Sequence, residues 1–294
     1  MWRVTPLNYP LGAVNCPGIL VQGRCFPGPG NTGVPPGTVL TNSGNVTITT
    51  PNTIIDSLNI VATGGGPGIL IKAGASGCII KNCMIDMNGS FFGISAAGSD
   101  NINGVTIQDC TIFDSNPKLT GQPEAILAAG ATILRCNISG STHSVAVDSG
   151  TTPLVQDNYM HDMAGGNSAH FENIYWGGDT PPPSVVIRHN TFFGFDTADI
   201  FVQNTSGDVS GTIIDNNLCR QGTPFGTLGP TQTVIQIEAL VTTTGCQITN
   251  NIIELGLGVY GSVSNHAAPG CLWQNNRDYF TGTVQPPPAN CFTP

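Results

Sequence analysis

Along most of the chain, apolar and polar residues alternate for a few positions, stop at Asn, Cys or Gly, and then alternate again. The octapeptides TIIDSLNI from Thr53, CIIKNCMI from Cys78, VTIQDCTI from Val105, ATILRCNI from Ala131 and PLVQDNYM from Pro153 share this pattern. VVIRHNTF from Val185, GTIIDNNL from Gly211, CQITNNII from Cys246 and CLWQNNRD from Cys271 continue it. The third position is apolar each time, at Ile55, Ile80, Ile107, Ile133, Val155, Ile187, Ile213, Ile248 and Trp273. A period of two over so few residues, ended by a turn former, predicts a short strand followed by a bend. Copies recur 22 to 35 residues apart, the length range of a solenoid repeat.

One such strand cannot bury its apolar side. Nine of them stacked at about 4.8 Å build a continuous core and pair their backbone hydrogen bonds. The fold class is therefore all-β: a single-stranded parallel β-helix of about nine or more coils. A sandwich would need antiparallel hairpins at shorter, more regular spacing. The expected organisation is a Pro/Gly-rich arm and cap over 1–45, the coil over 46–283 and a second arm over 284–294.

The sixth position runs Leu58, Cys83, Cys110, Cys136, Asn158, Asn190, Asn216, Asn251 and Asn276. Asn tolerates the left-handed backbone of a sharp bend, and stacked amides can hydrogen-bond up a column. The cysteines read as small buried members of the same ladder. Strand alternation sends Cys78 and Cys83 to opposite sides, which disfavours a shared metal site. The fifth position runs Ser57, Asn82, Asp109, Arg135, Asp157, His189, Asp215, Asn250 and Asn275, and opposite charges on neighbouring coils suit cross-strand pairing.

Composition narrows the function. Charged residues are 9% of the 294, against 38 Gly and 22 Pro, which suits strands and turns rather than helices with long charged faces. With a formal charge of -9, no nucleic-acid partner is expected, since such a groove needs clustered Lys and Arg. No apolar run approaches the roughly 18 to 20 residues of a membrane span, so no membrane insertion is expected. Ten cysteines imply oxidising surroundings, yet MWRVTPLNYPLGAVNCPG lacks the basic start and apolar core of a secretory signal. A virion protein released by host lysis reconciles the two. A secreted or cell-surface protein whose signal was removed is the alternative.

The disulfide candidates are Cys16, Cys25, Cys219 and Cys291. Cys16 and Cys25 enclose eight residues, which fits a small loop, and Cys291 lies in the arm VQPPPANCFTP, where it can bond to a neighbour or within the chain. Cys246 and Cys271, like Cys219, lie near coil edges with no partner assigned. The longest excursions follow Val155 and Ile213, and the first, MHDMAGGNSAHFENIYWGGDTPPP, gathers His161, Asp162, His170, Glu172, Tyr175, Trp176 and Asp179.

GNTGVPPGTVLT, VTITTPNTIIDSLNI, VVIRHNTF, TADIFVQ, IDNNL and WQNNRDYFTGTV resemble a family of right-handed, pectate-lyase-like β-helix proteins of phages and bacteria, often attached to tails or surfaces. The likeness spans Asn31 to Val284. It implies a right-handed coil, and implies activity only weakly, because the same coil serves lyases, hydrolases, tailspikes and inert virion parts. Where that family often has His-x-Asp followed by an apolar residue and Gln, HFENIY places His170, Glu172 and Tyr175.

Three chemistries compete with a structural role. A glycosidase needs two carboxylates about 5 to 9.5 Å apart, and Glu172 with Asp196 or Asp199 is the best set. A lyase needs a basic residue and often Ca²⁺, and Arg188 is the one cation near the acidic cluster; Ca²⁺ is expected only in this case, and otherwise no cofactor or metal. A histidine-based site would use His161, His170 or His189. Tyr175 and Trp176, with His161 and Asp162, would bind glycan or form a subunit contact. The favoured reading is a structural virion-associated protein, a capsid decoration, collar or tail β-helix, trimeric and cross-linked to other virion proteins through its arms and cysteines. The alternative is a tailspike-like lyase, hydrolase or glycan-binding spike with polysaccharide as partner.

Overall fold

The computed structural model describes residues 16–96, 102–118, 121–149, 151–165, 170–177, 184–204, 210–222, 233–239, 245–254, 263–265, 270–289 and 291–293. Among these residues there are 31 strands and no helix, so none long and apolar enough to cross a membrane. Apart from one antiparallel hairpin, the strands form three long parallel sheets of nine, ten and ten strands. Sheet I runs from Val46–Ile48 to Val263–Asn265, sheet II from Ile54–Asp56 to Cys291–Phe292, and sheet III from Thr41–Ser43 to Arg277–Asp278. Each coil visits I, II and III in turn, and each strand pairs in parallel with its equivalent one coil away. This is a parallel β-helix.

The octapeptide supplies the strand of sheet II, the bend and the strand of sheet III. Its third-position residues pair in register from Ile55 through Ile80, Ile107, Ile133, Val155 and Ile187. The next partner is Ile214, followed by Ile248 and Trp273. The seventh copy therefore starts at Thr212, one residue later than the alternation suggests. Ile213 and Ile214 are equally apolar, and only packing against neighbouring coils chooses between them.

Two consequences follow at the bend. The left-handed residue is the fifth, with φ of 49° at Arg135, 51° at His189, 59° at Asp157 and 56° at Asn216. The sixth residue points inward, and Asn217, not Asn216, holds the ladder position. Asn217 Oδ1 accepts from the backbone N–H and the side-chain amide of Asn190, at 2.9 and 3.1 Å. Its own amide donates to Ile187 O at 3.1 Å and to Asn251 Oδ1 at 2.9 Å. Asn158, Asn190, Asn251 and Asn276 repeat the bond to the third-position carbonyl one coil back. In the thiol rungs the sulfur takes that slot weakly, Cys110 Sγ reaching Ile80 O and Cys136 Sγ reaching Ile107 O at 3.8 Å. Because the left-handed residue resets the alternation, Cys78 and Cys83 are both buried in one core rather than facing opposite sides.

Charge pairing at the fifth position is present. Arg135 grips Asp109 through two bonds of 2.7 Å, and His189 Nδ1 meets Asp157 Oδ1. Asp215 has moved to the fourth position with the register, where Thr249 Oγ1 and Asn250 Nδ2 donate to it at 2.7 Å.

The N-terminal arm runs back along its own coil. Its hairpin, Ile19–Val21 with Arg24–Phe26, is closed by a Cys16–Cys25 disulfide. Arg24 donates to Asn250 O, and Gln22 donates to Asp278 O and Tyr279 O, so the hairpin sits on the last coils. Further on, His189 Nε2 donates to Cys25 O at 2.9 Å and Thr191 to Pro27 O at 2.7 Å. Gly33 N donates to Arg135 O near the middle, and Thr41–Ser43 pairs with Leu58–Val61 in sheet III. Gly33 has φ +81°, and a Cβ there would lie 2.5 Å from Thr111 Oγ1, so the strap passes close to the sheet. Val21 and Phe26 cover Leu218 and Ile252, apolar residues on the outer face of sheet III. At the other end Trp273 Nε1 donates to Gln285 O, and Cys291–Phe292 adds a last rung against Cys271 and Leu272.

Candidate functional site

The longest strands lie in sheet I, and two neighbouring columns of that sheet face opposite ways. Phe92, Glu124, His143, Glu172, Ala198 and Thr233 are in register on successive coils. The residues that follow them, Gly93, Ala125, Ser144, Asn173, Asp199 and Val234, face the interior. Ala125 and Val234 belong to the core, and a Cβ on Gly93 would lie 2.9 Å from Ile112 Cγ2. The strand bends after this inward residue, because the next one, Ile126, Val145, Ile174, Ile200 or Ile235, is also in the core.

The outward column carries a charge sandwich. His143 Nε2 lies 2.8 Å from Glu172 Oε2, and Nδ1 lies 3.6 Å from Glu124 Oε1. His170 Nδ1 lies 3.6 Å from Glu172 Oε1. Among the described residues, no side-chain nitrogen or oxygen of His143 or Glu172 is aligned for a hydrogen bond, so these are charge–charge contacts. The Glu172 side chain is 0% exposed and that of His143 3%, whereas that of His170 is 63% exposed. Burial alone would push the His143 imidazole down, but Glu124 and Glu172 together outweigh it and raise it to about 9. Burial pushes Glu172 up, and His143 and His170 reverse this, holding it below the usual carboxylate range. Tyr175 stacks on His143 at 4.9 Å and donates to Gln203 Oε1 at 3.3 Å, with its hydroxyl raised by burial.

Glu124 and His143 escape a reading of the repeat, because they stand at no fixed offset from the octapeptide. The signal that finds them is their place two residues before an apolar-x-apolar triplet, as in Ile126-x-Ala128, Val145-x-Val147 and Ile174-x-Trp176.

The structure brings Glu172, His170 and Asp196 into one electrostatic neighbourhood, with Tyr175 beside them. Asp196 has φ 66° and is half-buried, and burial raises its carboxyl, with the charge of Glu172 adding to the effect. Asp199 is not in this group. It lies inside the coil, where Asn173 Nδ2 donates to its Oδ1 at 2.8 Å and Ser144 Oγ donates to Asn173 Oδ1 at 3.1 Å. Burial pushes the Asp199 carboxyl well up, which suits a neutral acid in the core.

Trp176 is also a core residue, fully buried with Ile174, so it offers no face to a sugar or a subunit. His161 and Asp162 belong to sheet III and its edge. There His161 stacks on Tyr159 and bonds to Asn137 Oδ1 at 2.8 Å and Asp162 Oδ2 at 2.7 Å. His189 is engaged by the strap, and Arg188 donates to Gln156 Oε1 in sheet II. Asp179 lies outside the described residues. Cys219 is buried in the core and forms no disulfide, with burial raising its thiol well up. Among the described residues, no three or more His, Cys, Asp and Glu side chains are grouped to hold a metal ion.

A glycoside hydrolysis needs one protonated acid and one carboxylate, both reaching the sugar. Here Glu172 is held ionised and enclosed, and Asp199 is on the other side of the backbone. The arrangement is a clamp between coils, with His170 and Asp196 on its outer edge.

No protein-family model matches the sequence, and no curated protein matches it. Among solved structures, the Dettilon tailspike protein is similar to this chain, with 13% identity and a TM-score of 0.44, over 82% of this chain and 56% of that one. This chain thus spans a little over half the length of that tailspike. The fold assignment rests on the three stacked sheets themselves.

Proposed function

We propose that this chain is a structural component of a virus particle, a rod-like β-helix of a phage tail, collar or capsid decoration, assembling as a homotrimer and with other virion proteins. The observation that carries this reading is the withdrawal of the carboxylates from solvent: Glu172 is locked between two histidines and Asp199 is turned into the core. The resemblance of the repeat motifs to those of phage and bacterial coils supports the virion setting. Attachment through Cys16 and Cys25 is not part of the proposal, since these bond to each other. Contact falls instead to apolar groups of the hairpin and the C-terminal turn, such as Leu20 and Phe280, which are 58% and 67% exposed.

The test is mass spectrometry of density-gradient-purified particles. A fixed ratio of this chain to the major capsid protein is expected; finding it only in the non-sedimenting lysate overturns the proposal. A glycan-binding or glycan-cleaving spike is favoured by one observation, the exposed His170 beside Asp196 and Tyr175. Release of oligosaccharide from host surface polysaccharide that is lost in His170→Ala and Asp196→Asn would establish that second reading.

A further inference from the structure

The last rung of sheet II places Cys291 directly opposite Cys271, as Cα partners in adjacent parallel strands. Cys271 is buried in the coil interior, and Cys291 is half-buried and packed on the same core cluster. The structure shows no disulfide between them, but both side chains face one side of the sheet. Parallel strands stand about 4.8 Å apart, inside the Cα separation of roughly 4.4 to 6.8 Å that a disulfide spans. A second feature points the same way: the Cys16–Cys25 bond already places a disulfide in this chain, so its surroundings are oxidising.

We propose that Cys271 and Cys291 form an intramolecular disulfide that fastens the C-terminal segment onto the end of the coil. Cys246 stands one coil earlier in the same column, since Gln247 pairs with Leu272, but Cys246 is buried like Cys271. Exchange has to start at a thiol that an oxidant reaches, and in this column that is Cys291. The oxidant is a small-molecule disulfide such as oxidised glutathione. Cys291 thiolate attacks one of its sulfurs, breaking that S–S bond and expelling one thiolate, which takes up a proton. Cys271 thiolate then attacks Cys291 Sγ, forming the protein S–S bond and expelling the second thiolate. Two protein thiols are oxidised, one external disulfide is reduced to two thiols, and the two thiol protons pass to the leaving groups. The product holds the 271–291 loop closed, with the Trp273 bond to Gln285 inside it.

The experiment is peptide mapping of the full chain, isolated without reductant and alkylated before tryptic cleavage. Arg220 and Arg277 bound a peptide, 221–277, that contains Cys246 and Cys271, and the next peptide, 278–294, contains Cys291. The expected product is 221–277 joined to 278–294, two hydrogens lighter than their sum. The link persists in Cys246→Ser and disappears in Cys271→Ser, with 278–294 then recovered alkylated. Alkylated 278–294 from the unmutated protein overturns the proposal, as does 278–294 joined to a second copy of itself, or a link that survives Cys271→Ser through Cys246. The unmutated map decides the matter even where a variant fails to fold.

Discussion

At the residue scale, the charged groups of sheet I set a pH dependence whose sign is fixed by their shifts. His143 is raised from its usual 6.5 to about 9 in the folded chain, so its contribution is fully present below about 6.5 and is lost as pH rises to about 9. Glu172 is lowered from 4.5, so its contribution is present above that value and is lost on acidification. The clamp is therefore strongest between about 4.5 and 6.5. Melting curves of wild type and His143→Gln should differ most there and converge toward pH 9; a difference that grows with pH would refute the assignment. Asp199, raised by burial, also loses stability as pH climbs, but it is common to both chains and cancels in the comparison.

The bend gives a second test. Asn217→Ala strips the ladder of its bonds to Asn190, Ile187 and Asn251 and should cost roughly 2–4 kcal/mol, since several buried partners lose their mates. Asn216→Gly should stay within about 1 kcal/mol, because φ 56° is a conformation glycine accepts freely. Denaturant unfolding of both variants reads the difference. A larger cost at Asn216 would return the ladder to the register that the alternation alone suggests.

At the scale of elements, the strands of sheets II and III are legible in the sequence because each repeats one local chemistry: an apolar third position and a polar bend. The seventh copy slips by one residue where Ile213 and Ile214 compete, since alternation counts both alike and only contact with Ile187 and Ile248 ranks them. Sheet I is hidden because its strands start at varying distances from the octapeptide. The strap is hidden for a different reason. Leu218 and Ile252 occupy an outward position and look like stray apolar residues until Val21 and Phe26 cover them. Phe26→Ala should open that contact at a cost of about 3–5 kcal/mol. Hydrogen exchange at Leu218 and Ile252 should then quicken well beyond that at Ile107 or Ile133 in distant coils. Equal protection in all four would show that the hairpin does not hold the C-terminal coils.

At the scale of the whole molecule, the sequence-readable part is a stack of coils, and the part that reading cannot reach is how side chains distant in sequence compensate one another. Glu172, His170 and Asp196 were recognisable as candidates by residue type. That Glu172 is neutralised by His143, that Asp199 turns inward and that Trp176 belongs to the core depend on a bend in sheet I that no local pattern marks. The outcome is a rod whose polar clusters hold its coils together. The melting temperature of Glu172→Gln at pH 6 tests this most directly. The substitution leaves the His143 imidazolium buried with one carboxylate, which should cost about 3–5 kcal/mol and lower Tm by roughly 5 to 15 °C. An unchanged or higher Tm would contradict the structural role and mark Glu172 as a residue kept at the expense of stability, as an active-site carboxylate is.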